Sequence, residues 1–335
     1  MADRRGARLH VVTGKGGTGK STVAAALALA LASDGHQVLL CEVEGRQGIA
    51  RMFDVDPLPY EERRIATGLT VGSGPPPGAV HALHIDAESA LLEYLAMYYR
   101  LGRAGRALDR FGVIEFATTI APGVRDVLLT GKVYEAARRN GQAPKGSGRR
   151  YDAVVLDAPP TGRIAQFLGV NQELAGLAKM GPIKSQADSI MALFRSDGTR
   201  VHLVTVLEEM PVQETVDGIT QLREARLPVG SVLVNMVRPR DLDADDLAAA
   251  RAGEIDVEAV RADLTSVGVD TDDELLDSLL AEARDHAERR ALEDAQREVV
   301  DRLGVPTYDL PRLASGIDVG ALYELAALLK KQGAA

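Results

Sequence analysis

The chain has 335 residues, 46% of them hydrophobic and 26% charged, a makeup that excludes a disordered chain and provides for a substantial core. Its net charge of -9 and pI near 5.3 supply no general field for phosphate backbones or an anionic membrane surface, so no nucleic-acid partner is expected. The single cysteine, Cys41, lies in an apolar run and has no second thiol for a disulfide or a cysteine-based metal site, which suits a cytoplasmic protein.

Residues 1–8 are basic, but the apolar stretch that follows is interrupted by Gly14, Lys15 and Lys20, so neither a signal nor a transit peptide is expected. Residues 9–12 form a short apolar run that ends in a glycine-rich turn. Residues 20–33 then read as a helix stopped by Asp34-Gly35. The apolar stretch 23–32 falls short of the roughly 20 residues that cross a bilayer, leaving only peripheral membrane contact open. Further strands are expected at 37–43, 80–85, 153–156, 201–207, 231–234 and 306–310, most of them separated by helical patterns. This order predicts an α/β fold with a parallel, mostly doubly wound sheet.

Two regions interrupt the rhythm. Residues 87–139 read as a helical insertion with the stretch Leu91, Leu92, Tyr94, Leu95, Met97 and Tyr98 before Pro122-Gly123. Residues 241–303 read as charged, solvated amphipathic helices. Segments 73–78 and 140–150 read as loops, and no internal repeat is evident, so residues 1–335 are taken as one domain.

The chemistry is concentrated in Gly14-Lys15-Gly16-Gly17-Thr18-Gly19-Lys20-Ser21, followed by Thr22, which satisfies G-x-x-x-x-G-K-[ST] between an expected strand and an expected helix. Glycines let consecutive backbone N–H groups turn inward around phosphates, and the following helix adds the positive end of its dipole. Lys20 is expected to reach the β- and γ-phosphates of ATP, and the Ser21 hydroxyl to ligate Mg²⁺.

Lys15 within this motif resembles the deviant Walker A of the family that contains MinD, ParA, the nitrogenase iron protein and the arsenical-pump ATPase ArsA. The resemblance implies that Lys15 reaches across a two-fold interface to the partner's nucleotide. Leu156-Asp157-Ala158-Pro159-Pro160-Thr161-Gly162-Arg163 looks like switch II of the ArsA branch. It implies that Asp157 holds Mg²⁺ through water, while Pro160, Thr161 and Gly162 sense the γ-phosphate. Pro122-Gly123 resembles that branch's helix start, and Glu208 with Glu214-Thr215 its Glu-rich stretch, which would give Glu208 a contact in trans to the nucleotide. Asn235 matches the adenine-reading Asn, and Pro311-Arg312 resembles the loop that covers the base.

The departures are informative. Where the family's switch I carries Asp-Pro-Ala-His, this chain reads Glu42-Val43-Glu44-Gly45-Arg46-Gln47, and Glu44 takes the place of the Asp that orients water. One extra methylene predicts slow hydrolysis. The cysteines that hold arsenite or zinc in relatives are missing, and the six histidines show no metal-site arrangement.

A chain with one P-loop needs a second subunit, so the resemblance implies a homodimer, or a heterodimer with a related ATPase. The expected function is an ATPase that couples closure and slow hydrolysis to the handling of a protein client. Such a client would carry a hydrophobic segment that binds near 94–98 and 190–194. The alternatives are a nucleotide-gated regulatory module with little turnover, and a MinD-like membrane-cycling switch using residues 321–331.

Overall fold

The computed structural model describes residues 7–43, 47–70, 76–99, 122–139, 150–177, 182–314 and 316–335. The strands are β1 (Leu9–Gly14), β2 (Val38–Glu42), β3 (Arg63–Thr67), β4 (Ala79–His84), β5 (Ala153–Asp157), β6 (Thr199–Thr205), β7 (Val229–Val237) and β8 (Thr307–Pro311). The helices are α1 (Lys20–Ala32), α2 (Gly48–Met52), α3 (Ala87–Tyr99), α4 (Pro122–Arg138), α5 (Thr161–Leu177) and α6 (Pro182–Phe194). After them come α7 (Glu209–Glu224), α8 (Ala244–Ala252), α9 (Val257–Ser266), α10 (Asp273–Asp301) and α11 (Val319–Gln332).

Eight strands form one sheet in the order β3-β4-β2-β5-β1-β6-β7-β8. All neighbours are parallel except β3, which runs antiparallel to β4 at the edge. The chain leaves β1, builds the β2 side, returns to β5 and then crosses to β6, so the sheet reverses direction at β1. Clefts at the carboxyl ends of strands at such a reversal are where α/β sheets bind ligands. Strand β3 escapes the sequence pattern because Arg63-Arg64-Ile65-Ala66-Thr67 is a half-exposed edge with no apolar run.

Strand alternation sorts the core into two layers. Leu9, Val11, Leu39, Cys41, Leu156 and Leu203 face α4 to α7, through Leu129, Phe167, Phe194 and Val212. Val12, Leu40, Val155, Val204 and Leu233 face the other way, toward α1 and α11. Helix α1 is buried along residues 23–32 because α11 covers its outer side with Leu322, Leu325, Ala326 and Leu329. The apolar stripe of α11 is therefore spent on packing, which leaves a membrane-cycling role for residues 321–331 without its apolar face. Among the described residues no helix is long and apolar enough to cross a membrane.

One expectation needs correction. Ile190 and Phe194 are 2% and 0% exposed, within the core that α6 shares with α5, and so do not line an open groove. An apolar stripe at helical spacing serves a core and a groove equally well, and here the core takes it. The side chains of Tyr94, Leu95, Met97 and Tyr98 lie outside the described residues.

Charged side chains fasten the two helices that flank residues 100–121. Lys132 of α4 pairs with Glu93 of α3 at 2.7 Å and with Glu135 at 2.9 Å. Arg139, nearly buried, binds Glu135 at 2.8 Å and also Glu62, whose other oxygen accepts from the Tyr151 hydroxyl at 2.8 Å. In the charged region, Asp243, Asp256 and Asp272 cap α8, α9 and α10 through backbone N–H groups. No residue of α9 is buried.

A buried polar chain runs across β1, β6 and β7. His10 donates from Nε2 to the Ala7 carbonyl at 3.0 Å, so its Nδ1 must accept from His202 Nε2 at 3.1 Å. His202 Nδ1 then accepts from the Ser231 hydroxyl at 2.7 Å. Both imidazoles are neutral in this pattern, and burial drives His10 down to about 4 and His202 well below its ordinary value. The unfolded histidines titrate near 6.5, so the unfolded chain binds more protons below that pH. Stability is then complete above about pH 6.5 and is lost as pH falls toward 4. We expect urea unfolding to show a loss of roughly 2 kcal/mol from His10 between pH 7 and pH 5, with His202 adding a loss of the same sign. A His10→Gln/His202→Gln variant, less stable at pH 7, should show a flattened dependence in the same window.

Candidate functional site

The glycine loop is built by close approach. At Gly14 a Cβ would lie 2.2 Å from the Val204 carbonyl oxygen, so β1 and β6 meet there only because the side chain is missing. Gly17 and Gly19 have φ of 91° and 86°, in the left-handed region that side chains rarely adopt. Between them Thr18 is buried, with its hydroxyl donating to the Lys15 carbonyl at 2.9 Å. Gly19 is the N-cap of α1, and no side chain caps that helix. The first N–H groups of α1 therefore open onto the loop, the arrangement that receives an anion.

Asn235 supports the loop from β7. Its Nδ2 donates to the Thr18 carbonyl at 2.9 Å, and a Cβ on Gly19 would stand 2.3 Å from the same nitrogen. The β7 register against β8 shifts between Val234 and Val237, and within that shift Met236 takes φ 56° and stays 45% exposed. Pro311 pairs with Val237, and the Arg312 N–H donates to the Val237 carbonyl at 2.9 Å. Asn235, Met236, Pro311 and Arg312 thus share one edge of the site. Met236 escaped the sequence reading because its exposure depends on the bulge.

On the opposite side Asp157 ends β5 on the α1 face. The Ser21 hydroxyl donates to its Oδ2 at 2.5 Å. A hydroxyl beside a carboxylate is a hard oxygen donor set, the kind that fits Mg²⁺ next to phosphate. The uncapped amides and the glycine cradle likewise fit a triphosphate. After Asp157 the chain is fastened to β1, since the Ala158 N–H donates to the Val12 carbonyl at 2.9 Å and Thr13 Oγ1 to the Pro159 carbonyl at 2.7 Å.

Pro160 leads into α5, which Thr161 and Gly162 open. Thr161 is buried against Gly218 of α7, where a Cβ would come within 2.3 Å of Thr161 Cγ2. Two contacts tie α5 to α4: Arg163 to Asp126 at 3.2 Å and Asn171 Nδ2 to Thr130 Oγ1 at 2.9 Å. Burial raises the Asp126 carboxyl above its ordinary value, while Arg163 acts against that shift.

The two lysines of the loop are treated differently. Lys15 Nζ lies 2.6 Å from Glu214 Oε1, an ion pair within the chain that the sequence reading missed because Glu214 is 199 positions away. Among the described residues Lys20 has no ion-pair or hydrogen-bond partner, so its ammonium is available to a ligand. Glu208 is exposed at the N-cap of α7, and its side chain makes no capping bond. Glu44 lies outside the described residues.

The central strand, glycine loop and buried helix of a mostly parallel α/β sheet define a P-loop nucleotide-binding protein. Residues 7–196 match the family described as Anion-transporting ATPase, and the chain belongs to that family. It is 52% identical over 328 residues to the ATPase BagA of Mycobacterium tuberculosis, covering 98% of this chain and 94% of that one. It is 26% identical over 282 residues to the arsenical pump-driving ATPase of Escherichia coli, covering 77% of this chain and 45% of that one. With the ATPase GET3 of Kluyveromyces lactis it shares 25% identity over 269 residues, 70% of this chain and 73% of that one.

Proposed function

We propose that the chain is a dimeric Mg²⁺-dependent ATPase of the deviant Walker A kind, coupling ATP binding and slow hydrolysis to a change of shape that handles a protein client. The observation that carries this reading is the Ser21 hydroxyl held at 2.5 Å from Asp157, beside the uncapped start of α1. Amides of Gly16, Gly17, Thr18, Gly19, Lys20, Ser21 and Thr22 surround the phosphates, and Lys20 neutralises the β- and γ-oxygens. Ser21 and, through water, Asp157 would hold Mg²⁺, which would withdraw charge from the phosphate oxygens. Asn235, Pro311 and Arg312 border the adenine, with Met236 packing against the ring.

In hydrolysis Glu44 orients water toward the γ-phosphorus, the bond to the β,γ-bridging oxygen breaks, and ADP leaves with phosphate. Lys15 of a second subunit meets the charge that grows on the leaving oxygens, and Glu208 borders the nucleotide in trans. A homodimer provides that subunit directly, and a heterodimer with a related ATPase provides it equally. Loss of the γ-phosphate frees Pro160, Thr161 and Gly162, and the Arg163–Asp126 and Asn171–Thr130 contacts carry the shift from α5 to α4. Such coupling would reshape the client surface formed by the insertion, where a hydrophobic client segment would bind.

A second reading, a nucleotide-gated regulatory module with scarce turnover, is favoured by Glu44 standing where the switch I pattern that this segment resembles has Asp. Steady-state phosphate release with and without Mg²⁺ separates the two. The enzyme reading expects Mg²⁺-dependent turnover that falls by about tenfold or more in Glu44→Gln. An absence of Mg²⁺-dependent turnover above the Lys20→Ala control rejects it in favour of the module.

A further inference from the structure

The base edge of the site and its phosphate loop are joined by one hydrogen bond. Along β7, Val232 and Val234 face the α4 to α7 layer and Leu233 faces α1, so the next alternation brings Asn235 onto the α1 side. There it is 5% exposed, and its Nδ2 donates to the Thr18 carbonyl at 2.9 Å. A carbonyl only accepts, so the amide nitrogen of Asn235 has to face the loop and its oxygen is turned away from Thr18.

The bond has little freedom. A Cβ on Gly19 would lie 2.3 Å from that nitrogen and 3.7 Å from Met236 Cε, so the loop approaches Asn235 only where it carries no side chain. Immediately after Asn235 the chain turns, with Met236 at φ 56°, and the Arg312 N–H pins the Val237 carbonyl at 2.9 Å. Asn235 is thereby presented from a strand end that is itself held from the β8 side.

Thr18 is fastened through its other groups as well. Its hydroxyl and its N–H both donate to the Lys15 carbonyl, at 2.9 and 3.3 Å. The left-handed glycines at 17 and 19 leave the peptide between Thr18 and Gly19 able to rotate, so its orientation has to be set from outside the loop. No peptide bond here is cis, and in a trans peptide the C=O and the following N–H point in opposite directions. With the Thr18 carbonyl drawn toward β7, the Gly19 N–H points away from it. Among the described residues that N–H has no acceptor. An unanswered donor at the N-cap of an uncapped helix is placed for an anion.

We propose that Asn235 is a positioning residue for phosphate binding, its hold on the Thr18 carbonyl turning the Gly19 amide toward the triphosphate. This rests on the ATPase reading and adds to it a dependence of phosphate affinity on a residue of the base edge. A side chain that only read the base would matter to ATP and not to a ligand without a base. Alanine removes the donor; aspartate keeps the size and an acceptor oxygen but, when ionised, cannot donate.

The test compares Mg·ATP with Mg·tripolyphosphate, which has a triphosphate chain and no base, by calorimetric titration of the full chain. Hydrogen exchange without ligand is read at the Thr18 and Val23 amides, whose bonds to the Lys15 and Gly19 carbonyls close the loop and open α1. In Asn235→Ala both ligands are expected to bind about tenfold more weakly or worse, by factors that agree within about threefold. In Asn235→Ala and Asn235→Asp the Thr18 amide should exchange about tenfold faster or more, with β5 protection unchanged, which separates a local brace from a loss of fold. Tripolyphosphate affinity in Asn235→Ala within about threefold of the unsubstituted chain overturns the proposal, and a fall confined to ATP would leave Asn235 a reader of the base. Unchanged exchange at Thr18 in both variants overturns it too, whatever the ligands do. If the unsubstituted chain binds neither ligand, the ATPase reading fails, while exchange at Thr18 still decides whether Asn235 holds the loop.

Discussion

Replacing Lys20 by alanine is expected to lower phosphate release by about a thousandfold and to weaken ATP binding by about tenfold or more. Lys20 is the first residue of α1, and no described carboxylate neutralises it. Among the described residues its charge has no partner, so its loss should leave the fold intact. A thermal melt unchanged within about 2 °C would establish that, since an exposed or half-exposed substitution without a partner costs little stability. Turnover in Lys20→Ala within about threefold of the unsubstituted chain would place the chemistry elsewhere.

Lys15→Ala is expected to behave differently, retaining ATP affinity within about threefold while losing ATP-driven dimerisation and about a hundredfold or more in turnover. The distinction follows from the ion pair. Lys15 and Glu214 are about one-third exposed, at 30% and 32%, so water screens their attraction. A pair of that kind contributes about 0–1 kcal/mol, little enough for a partner's nucleotide to draw the ammonium away. Lys15 is thus held within its own chain at small cost, as the trans role proposed for it requires. Sedimentation velocity with Mg·ATP and with Mg·ADP, together with calorimetric titration, checks both halves. A Lys15→Ala chain that dimerises normally with ATP would remove the trans role.

How much could be read in advance depended on whether the determinant was local. The glycine loop was legible because the left-handed turns at Gly17 and Gly19 and the Lys20-Ser21 pair are all encoded within eight residues. Asp157 was legible for the same reason, as a carboxylate ending an apolar strand. The parallel sheet followed from alternating strand and helix patterns, but β3 did not, because an edge strand half in water needs no apolar alternation. The partnership of Lys15 with Glu214 depends on how α7 packs against the start of α5, where Gly218 meets Thr161. Glu42 was read only as part of a divergent switch segment, because its grip on Gly48 is set by the chain path between β2 and α2. The apolar run at 190–194 misled because periodicity identifies a buried face without saying what buries it.

Calorimetric titration of the full chain with ATP in the presence of Mg²⁺ tests the central claim most directly. The account predicts saturable binding that weakens by about tenfold or more in Lys20→Ala and in Gly19→Val, whose side chain would collide with Asn235 at a left-handed position. An unsubstituted, folded chain that gives no binding heat at any temperature tried, and no ATP-dependent rise in melting temperature, would contradict it.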